Sequence, residues 1–258
     1  MNRGILILKL FCLLSSSALG QNPEPFKRGE WLRYQISYTI LDLAEVVFEV
    51  KDTSDSLDYE IEVKGKTVDM LSWFYDADYK YLSFMDKKKN ISNRSVRKIV
   101  ENGAIMINRD ITFDQDKGTA TVLDNLAKKD TIIDIISNKT QDIVSMFYHV
   151  RLQDLSPMEV KDTLSVPLFI DKKMFNLKLI LQAIEDVKTS FGYIPCYKFF
   201  AWEETGSLLR NGNTLTIWIS KDDNKIPIKS EITIFLGSVK LMLNGFKKLQ
   251  NPIYFRKE

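Results

Sequence analysis

The stretch Trp31-Leu32-Arg33-Tyr34-Gln35-Ile36-Ser37-Tyr38-Thr39-Ile40 decides the fold class. Tyr34, Ile36, Tyr38 and Ile40 alternate with Arg33, Gln35, Ser37 and Thr39, so an extended chain here has one apolar and one wet face. The same period of two returns in Val46, Phe48 and Val50, then in Tyr59, Ile61 and Val63 against Glu60, Glu62 and Lys64. Turn residues between them, such as those from Asp52 to Asp58, make these successive antiparallel strands. Residues 78–86 alternate again, and Asn102-Gly103 between the β-patterned runs 95–100 and 104–113 is the strongest short hairpin signal in the chain.

One segment breaks the pattern. From about 140 to 152, Ile143, Phe147 and Val150 recur at helical spacing, with Val144, Met146 and Tyr148 widening the stripe and Gln141, Asp142, Ser145 and Arg151 on the other face. Asn138 or Thr140 is placed to cap its start, and Ser156-Pro157 ends it. A shorter helical turn is expected at 68–75, where Leu71, Trp73 and Phe74 cluster. Strands then resume at 164–170, 175–187, 193–202, 214–220, 226–236 and 239–243, with tight turns at Asn211-Gly212-Asn213 and Gly237-Ser238. The expected architecture is mainly β: an antiparallel β barrel or open half-barrel with one main amphipathic helix. Residues 21–258 read as a single β-rich domain, because no Pro/Gly-rich linker interrupts them.

Residues 1–20 read as an export signal. Arg3 supplies a positive start, Ile5 to Leu14 an apolar stretch, and Ser15 to Gly20 a small-residue tail, with cleavage expected between Gly20 and Gln21. That apolar stretch carries Lys9 and falls far short of the roughly 20 residues a spanning helix needs; no later segment reaches that length either. Cys12 leaves with the signal, so Cys196 is the remaining cysteine and reads as a buried, inert thiol among Ile194, Tyr197 and Phe199.

Charge and motif content narrow the function classes. The formal net charge is +2, and losing Arg3 and Lys9 leaves the exported chain neutral, which excludes a protein built around a nucleic-acid backbone or an anionic lipid surface. The densest basic run, Lys87-Lys88-Lys89 with Arg94, Arg97 and Lys98, has no interleaved aromatic platform and reads as a solvated hairpin end. The single histidine, His149, reads as a partly buried structural imidazole. There is no histidine pair, Cys-x-x-Cys or nucleotide-binding glycine motif, so neither metal nor cofactor is expected. The acidic pairs Asp114 with Asp116, Glu203-Glu204 and Asp222-Asp223 fall at strand ends or turns; a glycosidase would need two of them facing across a cleft. The turn at 220–225 lacks the glycine and the alternating oxygens of a calcium loop.

Three stretches together resemble one family of exported bacterial proteins, the domain of unknown function numbered 3108. They are Phe26-Lys27-Arg28-Gly29-Glu30-Trp31-Leu32-Arg33-Tyr34, the helical run from Gln141 to Arg151, and Leu215 to Ile228 followed by Gly237-Ser238-Val239. The resemblance implies an exported, mostly antiparallel β protein with no assigned activity, and hence no catalytic residues to carry over. The signal ending before Gln21 also looks like exported proteins of Bacteroidetes, implying the periplasm or cell envelope of a Gram-negative bacterium. The run from Trp218 through Asp222 to Pro227 is similar to the late hairpin of the periplasmic half-barrel lipoprotein carriers, although a filled, closed barrel accounts for it equally.

The expectation is therefore a non-enzymatic envelope protein that binds an apolar ligand, a lipid or lipoprotein, or a protein partner. The helix would be its lid or plug, and Trp73, Phe74, Phe147 and Trp218 its ligand or partner surface. The alternatives are a glycan-acting hydrolase using a carboxylate pair and a structural envelope subunit.

Overall fold

The computed structural model describes residues 24–52, 57–68, 72–73, 75–203, 214–234 and 236–257. Its strands are β1 (Trp31–Tyr38), β2 (Leu41–Val50), β3 (Asp58–Thr67), β4 (Ala77–Asp86), β5 (Ser92–Glu101), β6 (Ala104–Asp114), β7 (Thr119–Asp124) and β8 (Lys129–Asp134). Helix α1 (Ile143–Arg151) follows, then β9 (Thr163–Ile170), β10 (Lys173–Thr189), β11 (Gly192–Glu203), β12 (Thr214–Ser220), β13 (Pro227–Ile234) and β14 (Gly237–Lys247).

All of these strands join one antiparallel sheet in the order β8-β7-β6-β5-β4-β3-β2-β1-β14-β13-β12-β11-β10-β9. The first and last strands pair in its middle, so the two edges are β8 and β9, the strands on either side of the helix. Asn102 and Gly103, at φ 48° and 79°, form the expected left-handed hairpin turn. At the β10–β11 turn Gly192 (φ 128°) is required by close approach, since a Cβ there would lie 2.6 Å from the Arg256 carbonyl oxygen.

The alternation read from the sequence sets the inner face. Leu32 and Tyr34 on β1, Val50 on β2, and Ile61 and Val63 on β3 are buried there; so are Leu177, Leu179 and Leu181 on β10 with Phe199 and Ala201 on β11. Helix α1 lies across this face: Phe147 stacks on Phe48 with ring centroids 4.6 Å apart, and Tyr148 meets Phe26 edge-on at 4.8 Å. Large side chains therefore fill the interior.

The helix differs from its reading in two respects. Its cap is Asp142 rather than Asn138 or Thr140; Asp142 Oδ1 accepts from the amides of Val144 and Ser145. Its phase is also turned, with Ser145 and Arg151 fully buried while Ile143 is 42% exposed. Val144, Tyr148 and Arg151 are spaced i, i+4, i+7, and this stripe faces the sheet because Arg151 finds complete compensation inside. Its Nη1 and Nη2 donate to the two Glu30 carboxylate oxygens at 2.6 and 2.8 Å, Nη2 also to the Pro25 carbonyl at 2.9 Å, and Nε to the Asn224 carbonyl at 2.9 Å.

On the outer face of the sheet, Glu62 on β3 gathers Lys51, Lys64 and Lys80 at 2.6, 2.9 and 3.2 Å. Burial alone would raise its carboxyl, but hydrogen bonds from the three lysines overturn that effect and hold it at about 2.

Two predictions follow from these pairs. Arg151→Met strands a buried carboxylate and should cost about 3–5 kcal/mol in urea unfolding, whereas the double change Arg151→Met with Glu30→Met should recover much of the loss. The depressed Glu62 carboxyl contributes stability that is present above pH 4.5 and lost as pH falls toward 2. Because the lysines are partly exposed, that share is about 1 kcal/mol, and Glu62→Gln should remove it from the acid limb of a stability-against-pH curve.

Candidate functional site at the seam of the sheet

The edges β8 and β9 share no strand ladder, so the sheet does not close by hydrogen bonding. Side chains close it instead. On β9, Val166 and Leu168 face the interior, and Phe169, next after Leu168, points to the opposite face, beside Met174. There Phe169 packs into Ile111, Phe113, Ala120, Val122 and Ile135, a patch that continues the inner face of the first half of the sheet. The flap β6–β8 thus overlaps the outside of the β9–β10 hairpin, and Phe169 is the peg between the layers. The β9 edge is further covered by Gln141, whose amide donates to the Pro167 carbonyl at 2.8 Å and whose carbonyl accepts from the Phe169 amide at 2.8 Å.

An apolar cavity of about 190 Å³ lies at this seam, between the start of α1, strands β4–β6 and the hairpin tip. Ile111, Val144, Phe169 and Ile170 form apolar walls, Ile143 stands at the rim, and Arg97, Arg109 and Asp171 lie on the polar side. The polar side follows from register: Tyr81, Arg97, Arg109 and Asp124 stand opposite one another on β4, β5, β6 and β7. Two arginines side by side repel unless an anion lies between them. Asp171 is that anion, taking Arg97 Nη1 at 2.5 Å and Arg109 Nη1 at 2.8 Å. Arg97 Nε also donates to the Tyr81 hydroxyl at 3.1 Å, and Arg109 Nε to Asp124 Oδ2 at 3.2 Å. Asp142 also lines the cavity, but its Oδ2 accepts from Ser83 and Ser92, both at 2.6 Å, while its Oδ1 caps the helix.

Sequence reading did not find this site. It grouped Arg97 with the solvated basic run, whereas Arg97 is turned inward and only Arg94 and the lysines keep to the exterior or the β4–β5 turn. Strands β7 and β8 were also missed. Trp73 is 80% exposed, Phe147 is packed in the interior, and Phe74 lies outside the described residues. Trp218 donates to Glu185 Oε1 at 2.8 Å and sits under the ammonium groups of Lys198 and Lys229. None of the three described aromatics lines the cavity.

The residues with reactive potential are engaged in local structure. Burial pushes the Cys196 thiol upward and the His149 imidazole downward; His149 Nδ1 lies 3.1 Å from the Asn90 carbonyl. Asp114 pairs with Lys117 in the β6–β7 turn, where Asp116 is also placed; Glu203 is buried at the end of β11, and Glu204 lies outside the described residues. Asp222 and Asp223 line a polar cleft with Asp154; burial raises the Asp222 carboxyl, and its Oδ1 accepts from Ser220, Asn224 and Lys225 in its own turn.

The model of a family of proteins of unknown function, DUF3108, matches residues 33–244. No curated protein matches the chain. Among solved structures it is similar to a β-barrel-like protein of the domain of unknown function DUF1849 from Brucella abortus, at TM-score 0.58 and 12% identity, covering 88% of this chain and 99% of that one. It is also similar to a Bacteroides fragilis protein described as exported with a YmcC-like fold, at TM-score 0.34 and 13% identity, covering 88% and 99%. A Parabacteroides distasonis protein described as a lipoprotein matches at TM-score 0.33 and 10% identity, covering 88% and 100%. The first likeness supports the barrel-like fold.

If Phe169 pegs the overlap, Phe169→Ala should cost about 3–5 kcal/mol. Native-state hydrogen exchange should then show β6–β8 losing protection before β1–β3; uniform loss across the sheet would contradict the peg.

Proposed function

The chain belongs to the DUF3108 family of proteins of unknown function, and from that premise we propose that it is a non-enzymatic exported envelope protein that binds a small apolar group in its seam cavity. One observation carries this reading: the apolar cavity lies at the place where the two sheet edges share no strand ladder, so a guest can enter without breaking one. The export half rests on the 1–20 pattern of charge, apolar stretch and small residues.

Size selects the guest. Cavities of about 150 Å³ take benzene, so about 190 Å³ suits an apolar group of about six to eight carbons. Pockets that enclose a whole drug-sized ligand run from about 300 to 1,000 Å³, which makes engulfment of a complete lipid the poorer reading. Phe147 and Tyr148 fill the space in which a hollow barrel would hold a lipid.

The test uses 1-octanol and methyl-resolved NMR. Titration should shift Ile111, Ile143, Val144 and Ile170 and leave Leu179 unmoved. Ile143→Trp, a change at a rim position that is 42% exposed, should weaken binding about tenfold with an unchanged melting temperature. Shifts confined to other parts of the protein would refute the site. Recovery from the periplasmic fraction with Gln21 as first residue checks the export half.

A further inference from the structure

Resting on the seam-cavity reading, we infer that the natural guest is an alkanoic acid of about eight carbons, whose carboxylate takes the place Asp171 now fills between Arg97 and Arg109. The two arginines face each other on neighbouring strands, so the mouth demands an anion whether or not a ligand is present. Asp171 shows the geometry that satisfies it, one carboxylate accepting from both guanidinium groups at 2.5 and 2.8 Å.

The arginines are the fixed members of this arrangement. Their side chains are 23% and 22% exposed, with Arg97 held by the Tyr81 hydroxyl and Arg109 by Asp124. Asp171 is the replaceable member. It is 40% exposed at the tip of a two-residue turn in which Asp171 and Lys172 both take left-handed φ, 47° and 70°. That conformation suits Asn-Gly better than Asp-Lys, so moving the tip into water relieves strained backbone, and the two ion pairs it gives up are the ones a guest carboxylate remakes. With Arg97, Arg109 and Lys172 against Asp124 and the Asp142 carboxylate at the helix start, a mouth vacated by Asp171 keeps a net positive charge and draws in an anion. Behind it, Ile111, Val144 and Phe169 offer an apolar wall to a short chain. A carboxylate head on an alkyl tail matches both halves of the site.

Calorimetry on the full mature chain at low salt, with octanoate, 1-octanol and octylamine, tests this. Octanoate should bind about tenfold tighter than octanol, and octylamine the weakest of the three. Asp171→Asn removes the competing carboxylate and should tighten octanoate about fivefold while leaving octanol unchanged. Arg97→Gln should erase the preference for octanoate, with circular dichroism checking that both variants remain folded. The comparison on the unmodified chain decides the matter even if a variant does not fold. Equal binding of octanoate and octanol would overturn the carboxylate assignment and leave the cavity reading standing; binding by none of the three would overturn both. Tighter binding of a tripeptide ending in leucine than of octanoate would overturn the alkanoic acid in favour of a peptide C-terminus.

Discussion

The ion pair of Arg151 with Glu30 is the constraint around which the rest of this molecule is arranged. Both side chains are completely buried, and a lone guanidinium or carboxylate there would cost several kcal/mol. The pair is tolerable only if every donor is answered, which requires the Pro25 carbonyl before β1 and the Asn224 carbonyl in the β12–β13 turn to be in place at once. Asn224 in turn binds the Asn251 and Pro252 carbonyls, and Asn251 reaches the Glu24 carbonyl. One helix residue thereby ties together the chain's entry into the sheet, its late hairpin and its C-terminal segment. The three stretches that carry the family resemblance are the ones that supply Glu30, Arg151 and Asn224.

A second consequence is the position of the seam. With Arg151 fixing the end of α1 near the paired first and last strands, the helix start must lie toward the opposite side of the sheet, where β8 and β9 would otherwise meet. Gln141 occupies the β9 edge, and Pro167 within that strand has no amide to offer a neighbour. A closed ladder is blocked, and the flap slides past to bury Phe169 instead. Edge strands left unpaired invite aggregation; here one is covered by the helix entry and the other, β8, carries Lys129, Asp130 and Asp134. The cavity is the space this overlap leaves over the helix start.

The residues that first suggest chemistry are explained by structure. Asp142 caps the helix and anchors it to β4 and β5 through Ser83 and Ser92. His149 and Cys196 are both shifted toward their neutral forms by burial, which suits packing more than acid–base or thiolate work. At the seam, two guanidinium groups and one carboxylate lie beside an apolar wall.

What the sequence by itself determined is the local alternation. Period two from Trp31 onward marks most of the strands, Asn102-Gly103 marks its hairpin, and the one helical run stands out between two β regions, because each pattern is written within a few consecutive residues. Strands β7 and β8 escaped because each is six residues long, and β8 is in addition charged and blurred by Ile132 beside Ile133, of which Ile132 is 70% exposed. The helix phase was misread because hydrophobicity places Arg151 outside, and only Glu30, far away in sequence, makes its burial affordable. The same holds for the site. Tyr81, Arg97, Arg109, Val144, Phe169 and Asp171 come from six separate elements and turns, and no local period signals that they will meet. Tertiary structure alone decided that meeting, because it depends on where two sheet edges stop short of pairing.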